Sequence, residues 1–130
     1  MRGIRGAITI QQDHSDEVIR KTKTLLLRIL KMNPELSPEA ICSIFFTVTN
    51  DICSAFPAQA ARELGWHMVP LMCGCEIPVL NSLPLCIRVL IHWNTQKPQS
   101  EIQHVYLNQA EALRPDLANK QPDQRKEMQP

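Results

Sequence analysis

One arginine, Arg88, lies in the middle of the most apolar run of the chain, Leu85–Ile91. A guanidinium keeps its positive charge in proteins, so burying it without a counter-charge is strongly unfavourable. Glu76 is a nearby acidic residue, and a bound ligand is the other source of an anion. The run therefore predicts either a core ion pair between Arg88 and Glu76 or a site that binds an anion.

The length of this run and its β-branched residues are typical of a β-strand. Because side chains alternate along a strand, one predicted face is apolar and the other carries the charge. The apolar face contains Leu85, Ile87, Val89, Ile91 and Trp93. The second face contains Cys86, Arg88, Leu90 and His92, and we expect any chemistry to take place there.

Composition limits the class of protein. The chain has 130 residues, of which 44% are apolar, and this size is typical of one domain with its own core. Fourteen basic against 13 acidic residues leave a net charge of +1 without a basic stripe, so nucleic acid is not expected as a partner. No signal peptide or transmembrane-length apolar span is recognisable, so we expect a cytoplasmic protein without a membrane partner. The five cysteines are an odd number and predict free thiols in a reducing compartment.

The pattern of elements predicts a single α+β domain over residues 1–117, with a mixed β-sheet packed by helices. The main helix is predicted from Ser15, as N-cap, to Lys31, with one apolar stripe facing the core. A short helix is expected to begin at Ser37–Glu39, and a third over 56–64 to end at Gly65. Further strands are predicted over residues 1–10, 43–49, 68–72 and 104–113. Residues 118–130 are polar and aperiodic, and are predicted to be a mobile tail.

Two more arginines lie in predicted strands. Alternation places Arg5 on one face with Gly3 and Ala7, whose small side chains leave room for a ligand at the guanidinium. The alternative is a solvated arginine on a terminal strand. In the last strand, alternation places Tyr106 and Arg114 on one face and toward one cavity. The alternative there is a tyrosine at the sheet edge and a surface arginine.

The segment around Gly74 contains two cysteines and a glutamate. A regular strand would send Cys73 and Glu76 to opposite faces, whereas a turn at Gly74 would bring them together. Cys73 and Cys75 lack a second cysteine pair or a histidine at zinc-binding spacing, so no metal site is predicted. A cysteine nucleophile is not predicted either, because no histidine and aspartate accompany the thiols in a motif.

The residues that carry charge near apolar sequence are arginines, a glutamate, a tyrosine and a cysteine. Paired guanidinium groups recognise carboxylates, so they predict a small dianionic ligand. No cofactor motif is present, and a reaction at such a site would depend on holding one conformer and stabilising developing charge.

Six motifs, in order, resemble the monofunctional chorismate mutases of the AroH class. They are Arg2–Ala7, Phe56–Ala58 with Arg62–Leu64, Val69–Pro70 with Cys73 and Glu76, Cys86–Val89, His104–Leu107, and Leu113–Leu117. The resemblance covers nearly the whole chain up to Leu117. It implies a homotrimeric pseudo α/β-barrel with active sites at subunit interfaces. It also implies the Claisen rearrangement of chorismate to prephenate, an isomerase reaction of aromatic amino acid biosynthesis that needs no cofactor.

The resemblance assigns roles to residues of this chain. Arg88 would contact a carboxylate and the ether oxygen on which negative charge develops, and Glu76 and Cys73 would hold the ring hydroxyl and the allylic side of the substrate. Arg5 would bind a carboxylate, and Tyr106 would position the side chain. Arg62 and Arg114 would guide the second carboxylate near the entrance. The apolar wall would consist of Phe56, Ala58, Leu71 and Leu113.

Two residues depart from the family pattern. Gln59 stands where the family often has lysine, and Met72 where it often has threonine. The first change affects peripheral capture of an anionic substrate, and the second affects a hydroxyl or backbone contact.

Two alternative functions remain open at this point. One is a non-catalytic trimeric protein that binds or senses a dicarboxylate metabolite, although Arg88 and Glu76 are both retained. The other is an unrelated small trimeric enzyme that acts on enamine or imine acids, against which the combination of Cys73, Glu76 and Arg88 argues.

Overall fold

Five strands form one mixed sheet in the order β3-β2-β4-β1-β5, and a long helix packs on one side of it. The structure, a computed structural model, describes residues 1–118. The strands are β1 (Arg2–Thr9), β2 (Ile41–Val48), β3 (Leu71–Cys75), β4 (Cys86–Trp93) and β5 (Val105–Leu107). The helices are α1 (Ser15–Met32), α2 (Ala58–Glu63) and α3 (Pro115–Ala118), with 3-10 turns at Pro38–Ala40, Gln99–Glu101 and Asn108–Ala112.

The Arg88 strand, β4, lies at the centre of the sheet. It pairs antiparallel with β1 on one side and with β2 on the other, while β5 and β3 form the edges in parallel pairs. Arg88 lies opposite Ala7 of β1 and opposite Thr47 of β2. The register therefore surrounds the central guanidinium with one small and one hydroxyl side chain.

The inner face of the sheet is the core, as the alternation along β4 predicts. Ile87, Val89, Ile91 and Trp93 are buried there against the apolar stripe of α1. Gly6 of β1 lies directly under that helix, and a Cβ at this position would lie 2.9 Å from Cδ1 of Ile29. Each large aliphatic side chain buried in this layer contributes about 1.5 to 3 kcal/mol, so the contact between helix and sheet dominates the stability of the domain.

The outer face of the sheet is open in its middle. The side chain of Arg88 is 45% exposed, and Phe45 and Leu90 on the same face are exposed as well. The expectation that Arg88 must be buried is therefore wrong for the single chain. Its apolar neighbours in sequence alternate into the core, while Arg88 itself points outward.

Two predicted boundaries differ from the observed ones, and a third agrees. Ser15 is not the N-cap of α1, because His14 occupies that position without a side-chain hydrogen bond. Strand β3 begins at Leu71 rather than near 68, since Pro70 has no N–H for the ladder and only its carbonyl accepts a bond, from Ile44. Gly65 ends the segment of α2 with a φ of +90°, as expected for a left-handed stop.

The last predicted strand is much shorter than expected. It covers Val105–Leu107, because Asn108 adopts a left-handed φ of 58° and its side chain donates to the carbonyl of Thr9. The chain then continues as a 3-10 turn, so strand alternation does not relate Tyr106 to Arg114. The predicted tail begins within α3 at Ala118 and otherwise lies outside the described residues. Within residues 1–118 no helix is long and apolar enough to cross a membrane.

Candidate active site

The exposed middle of the outer face forms a cavity of about 460 Å³, which we call the arginine cavity. Three arginines line it: Arg5 from β1, Arg88 from β4, and Arg114 from the segment before α3. Glu76, Tyr106 and Leu113 line it as well. One part of the predicted site is thus brought together within a single chain. Tyr106 and Arg114 line one cavity, as predicted, but they do not lie on one face of a strand.

Arg88 and Glu76 form an ion pair at the floor of this cavity. The distance from Arg88 Nε to Glu76 Oε2 is 3.7 Å, which is longer than a hydrogen bond. Glu76 is held at two other points: its backbone N–H donates to the Val48 carbonyl at 2.8 Å, and its carboxylate oxygen Oε2 accepts from the Thr47 hydroxyl. The Glu76 side chain is 26% exposed, so both partners can be reached by a ligand.

Arg5 is placed beside the cavity by a bond to the neighbouring edge of the sheet. Its backbone N–H donates to Nδ1 of His104 at 2.9 Å, which requires that Nδ1 carries no proton. Burial lowers the pKa of His104, and the positive charges of Arg5 and Arg114 lower it further. The imidazole is therefore neutral near neutral pH and does not add to the charge of the cavity.

Tyr106 is buried beside Ala7 and Cys86 at one end of the cavity. Burial raises the pKa of the Tyr106 hydroxyl, while the nearby Arg5 and Arg114 oppose that change. Burial also raises the pKa of the Cys86 thiol to about 11, against the opposing effect of Arg88. Both groups are neutral at neutral pH, so the tyrosine can donate a hydrogen bond to an anionic ligand.

Arg114 is oriented by an acidic residue of α3. Its Nε and Nη2 donate to the two carboxylate oxygens of Asp116 at 3.1 and 2.9 Å. This two-pronged bond holds the guanidinium plane at the edge of the cavity, although the pair is exposed and adds little to stability.

The remaining predicted site residues lie elsewhere. A second cavity of about 310 Å³, which we call the α2 cavity, is lined by Phe56, Ala58, Arg62, Leu71, Met72 and Cys73. Gln59 lines an adjoining groove of about 1090 Å³, together with Phe56 and Cys73. Phe56 is 69% exposed and Met72 is 62% exposed, although both are large and apolar. The predicted site is therefore divided between two separate surfaces of the chain.

Cys73 and Glu76 do not converge, because the segment follows the strand alternative and no turn forms at Gly74. Strand β3 continues through Gly74, which pairs with Thr47, to Cys75, which pairs with Val48. Cys73 consequently faces the α2 cavity and Glu76 the arginine cavity. All five cysteines are free thiols, and in the described part of the chain no three His, Cys, Asp or Glu side chains are grouped to hold a metal ion.

Thr47 is the site residue that sequence reasoning missed. It lines the arginine cavity and contacts Glu76 directly. Alternation along β2 indicates that Thr47 shares a face with Phe45, but its position opposite Arg88 depends on the register of two strands distant in sequence. A threonine in a strand gives no further signal.

Comparisons with known proteins agree on one family. Residues 1–117 match the family model described as chorismate mutase type I. The chain is 50% identical over 121 residues to chorismate mutase AroH of Thermus thermophilus, covering 93% of this chain and 99% of that protein. It is 44% identical over 119 residues to chorismate mutase AroH of Bacillus subtilis strain 168, covering 91% and 93%. A solved structure of chorismate mutase from Clostridium thermocellum superposes with a TM-score of 0.84 at 46% identity, covering 86% of this chain and 99% of that one.

Proposed function

The chain belongs to the chorismate mutase type I family, and from this premise we propose that it converts chorismate to prephenate at a site shared between subunits of a homotrimer. One observation carries the proposal of a shared site. Most of the predicted site residues form two groups that line separate cavities, and the two linings have no residue in common. Joining the arginine cavity of one subunit to the α2 cavity of the next would complete the site.

The reaction suits the groups that the arginine cavity contains. In this rearrangement one carbon–oxygen bond breaks and one carbon–carbon bond forms within the same molecule, without net proton transfer or an external electron donor. Negative charge develops on the ether oxygen, and a preorganised cation lowers the barrier by stabilising it. Arg88 is proposed for this role, because its guanidinium is oriented toward the cavity and always charged.

The other residues of the cavity are proposed to hold the substrate in its reactive conformation. Arg5 and Arg114 would bind carboxylates, and the neutral Tyr106 hydroxyl would donate to one of them. Glu76 would accept a hydrogen bond from the ring hydroxyl, and Leu113 would form part of the apolar wall. Such positioning can account for a large share of the rate enhancement of an intramolecular reaction.

The second subunit would contribute the residues of the α2 cavity and Gln59. Phe56, Ala58, Leu71, Met72 and Cys73 would close the apolar side of the substrate, and Arg62 would attract its second carboxylate. The exposure of Phe56 and Met72 supports an interface here, because large apolar side chains grouped on a surface are typical of contact regions. A ring of three subunits satisfies this arrangement because each subunit offers both surfaces.

A direct assay tests the proposed function. Purified protein, in buffer with a chelator and without nucleotide, is expected to consume chorismate and release prephenate. Light scattering at the assay concentration should give about three times the mass of the 14.8 kDa chain. Tight binding of chorismate without product would instead support the non-catalytic binding protein, and a mass of one chain would exclude the shared site. Cytoplasmic localisation remains a prediction from the sequence.

A further inference from the structure

Thr47 is held directly against the acidic residue of the arginine cavity. It lies in β2 opposite Arg88 of β4 and opposite Gly74 of β3, so its side chain lies between the strand that carries Arg88 and the strand that Glu76 directly follows. Its hydroxyl donates a hydrogen bond to Oε2 of Glu76. The threonine therefore contacts the site through the carboxylate rather than only lining its wall.

The same carboxylate oxygen faces Arg88. The Nε to Oε2 distance of 3.7 Å is outside the 2.7 to 2.9 Å typical of a charge-assisted hydrogen bond. Opposite charges at this separation, with side chains 45% and 26% exposed, have room to approach one another. The Thr47 hydroxyl donates a hydrogen bond to Oε2, which could otherwise accept one from the Arg88 guanidinium.

The main chain of Glu76 is held by Val48, the residue that follows Thr47 in β2. Its N–H donates to the carbonyl of Val48 at 2.8 Å, immediately after Thr47 in β2. Glu76 follows the end of β3 and precedes a segment, 77–82, whose apolar residues Ile77, Val79 and Leu80 are largely exposed. Two consecutive residues of β2 thus hold both ends of Glu76 at the point where the sheet gives way to a loop.

We propose that Thr47 is a positioning residue for the reaction. Its hydroxyl keeps Oε2 of Glu76 from closing onto Arg88, which leaves Oε1 for the substrate hydroxyl and the guanidinium for the substrate. Without this hydroxyl, the carboxylate would form a closer bond with Arg88 and neutralise the charge that the ether oxygen needs. The inference rests on the proposed roles of Glu76 and Arg88.

Two substitutions separate the hydroxyl from the shape of the side chain. Thr47→Val keeps the β-branched shape that suits a strand and removes the donor, whereas Thr47→Ser keeps the donor. We expect Thr47→Val to lower kcat by about ten- to a hundredfold, the range for a hydrogen bond to a charged group, with a smaller change in KM. Thr47→Ser should retain activity within about threefold of the natural chain because the same bond can form. Thermal unfolding of both variants should stay close to that of the natural chain.

A double-mutant cycle with Glu76→Gln tests whether the effect passes through the carboxylate. If it does, adding Thr47→Val to Glu76→Gln should change kcat by much less than it changes the natural chain. An equal loss in both backgrounds, or a Thr47→Val enzyme with normal kcat, would overturn the inference. If Glu76→Gln is itself fully active, the proposed site is wrong. If it is impaired while Thr47→Val is not, only the role of Thr47 fails.

Discussion

Arg88 lies in the central strand of the sheet, yet its side chain is 45% exposed. Strand alternation explains this, since Ile87 and Val89 on either side enter the core while Arg88 points to the cavity. The charge is therefore accessible to a ligand in the free chain.

Replacing Arg88 by lysine tests whether this charge acts in catalysis. We expect Arg88→Lys to lower kcat by at least about 10² to 10³, because an ammonium cannot reproduce the planar guanidinium, with binding affected less. The melting temperature should change little, since the side chain is exposed and its ion pair lacks a close hydrogen bond. Thermal unfolding and single-turnover rates are measured on one preparation. A destabilised variant with normal turnover would show that Arg88 is only a structural partner of Glu76.

His104 is expected to affect how the stability of the folded chain depends on pH. Its pKa in the folded chain is lower than the ordinary value of 6.5, because of burial and the nearby arginines. As the pH falls through the ordinary value of 6.5, the histidine of the unfolded chain takes up a proton that the folded chain does not bind. This histidine therefore lowers the stability of the folded chain on acidification. Protonation of Nδ1 would also remove the bond from the Arg5 N–H.

We therefore expect a His104→Gln variant to lose less stability than the natural chain between about pH 7 and pH 5, even if it is less stable at pH 7. Urea unfolding midpoints measured across this interval give the two slopes. Other histidines titrate in both proteins, so the difference between the slopes reports His104. Equal slopes would contradict the assigned pKa direction.

At the scale of elements, the contact of α1 with β1 depends on a glycine. A Cβ at Gly6 would lie 2.9 Å from Ile29 Cδ1 and 3.0 Å from Val89 Cγ1, both in the core. At Gly3, on the opposite face of the same strand, a Cβ would lie 3.4 Å from Leu90 Cδ1, which is an ordinary contact. The two glycines thus form a matched pair on one strand.

Gly6→Ala is expected to lower the free energy of unfolding by about 1 to 3 kcal/mol, the usual cost of overpacking a core. Gly3→Ala should leave it nearly unchanged, because alanine fits there and restricts the unfolded chain. Urea denaturation at one protein concentration compares them. Equal stability of the two variants would mean that α1 moves away from β1 without cost.

At the scale of the whole molecule, the proposed shared site predicts complementation between inactive subunits of the proposed trimer. Arg88→Ala is expected to disable the arginine cavity, and Cys73→Asp places a carboxylate in the α2 cavity, where it is expected to repel the proposed dianionic substrate. Trimers that contain both variants should regain activity, because some sites then combine two natural halves. With random assortment of equal amounts, about a quarter of the sites should be intact.

The matched control is a mixture of Arg5→Ala with Arg88→Ala. Both residues line the same cavity of one chain, so every site in this mixture carries one defect and activity should not return. Co-expressed, differently tagged subunits allow mixed trimers to be isolated and assayed for chorismate loss. Recovery in the control, or none with Cys73→Asp, would contradict the division of the site.

The sequence predicted the features that depend on local patterns. Alternation in β4 identified the buried and exposed faces, the stripe of α1 identified the packing helix, and Gly65 identified a helix end. The motifs identified the family, which the comparisons confirm. The predicted strand bounds were wrong where a single residue overrides the pattern of its neighbours. Pro70 makes β3 begin later than predicted, and Asn108 makes β5 end earlier.

By itself, then, the sequence determined the family and the core faces and supplied the candidate site residues, because periodicity and motifs are properties of neighbouring residues. Only the tertiary structure decided which of those residues meet. Strand register placed Thr47 opposite Arg88 and against Glu76, and the uninterrupted β3 sent Cys73 away from Glu76. Register and sheet order follow from packing between segments far apart in the chain, and a single residue of slip would reverse every face. No local pattern contains that information.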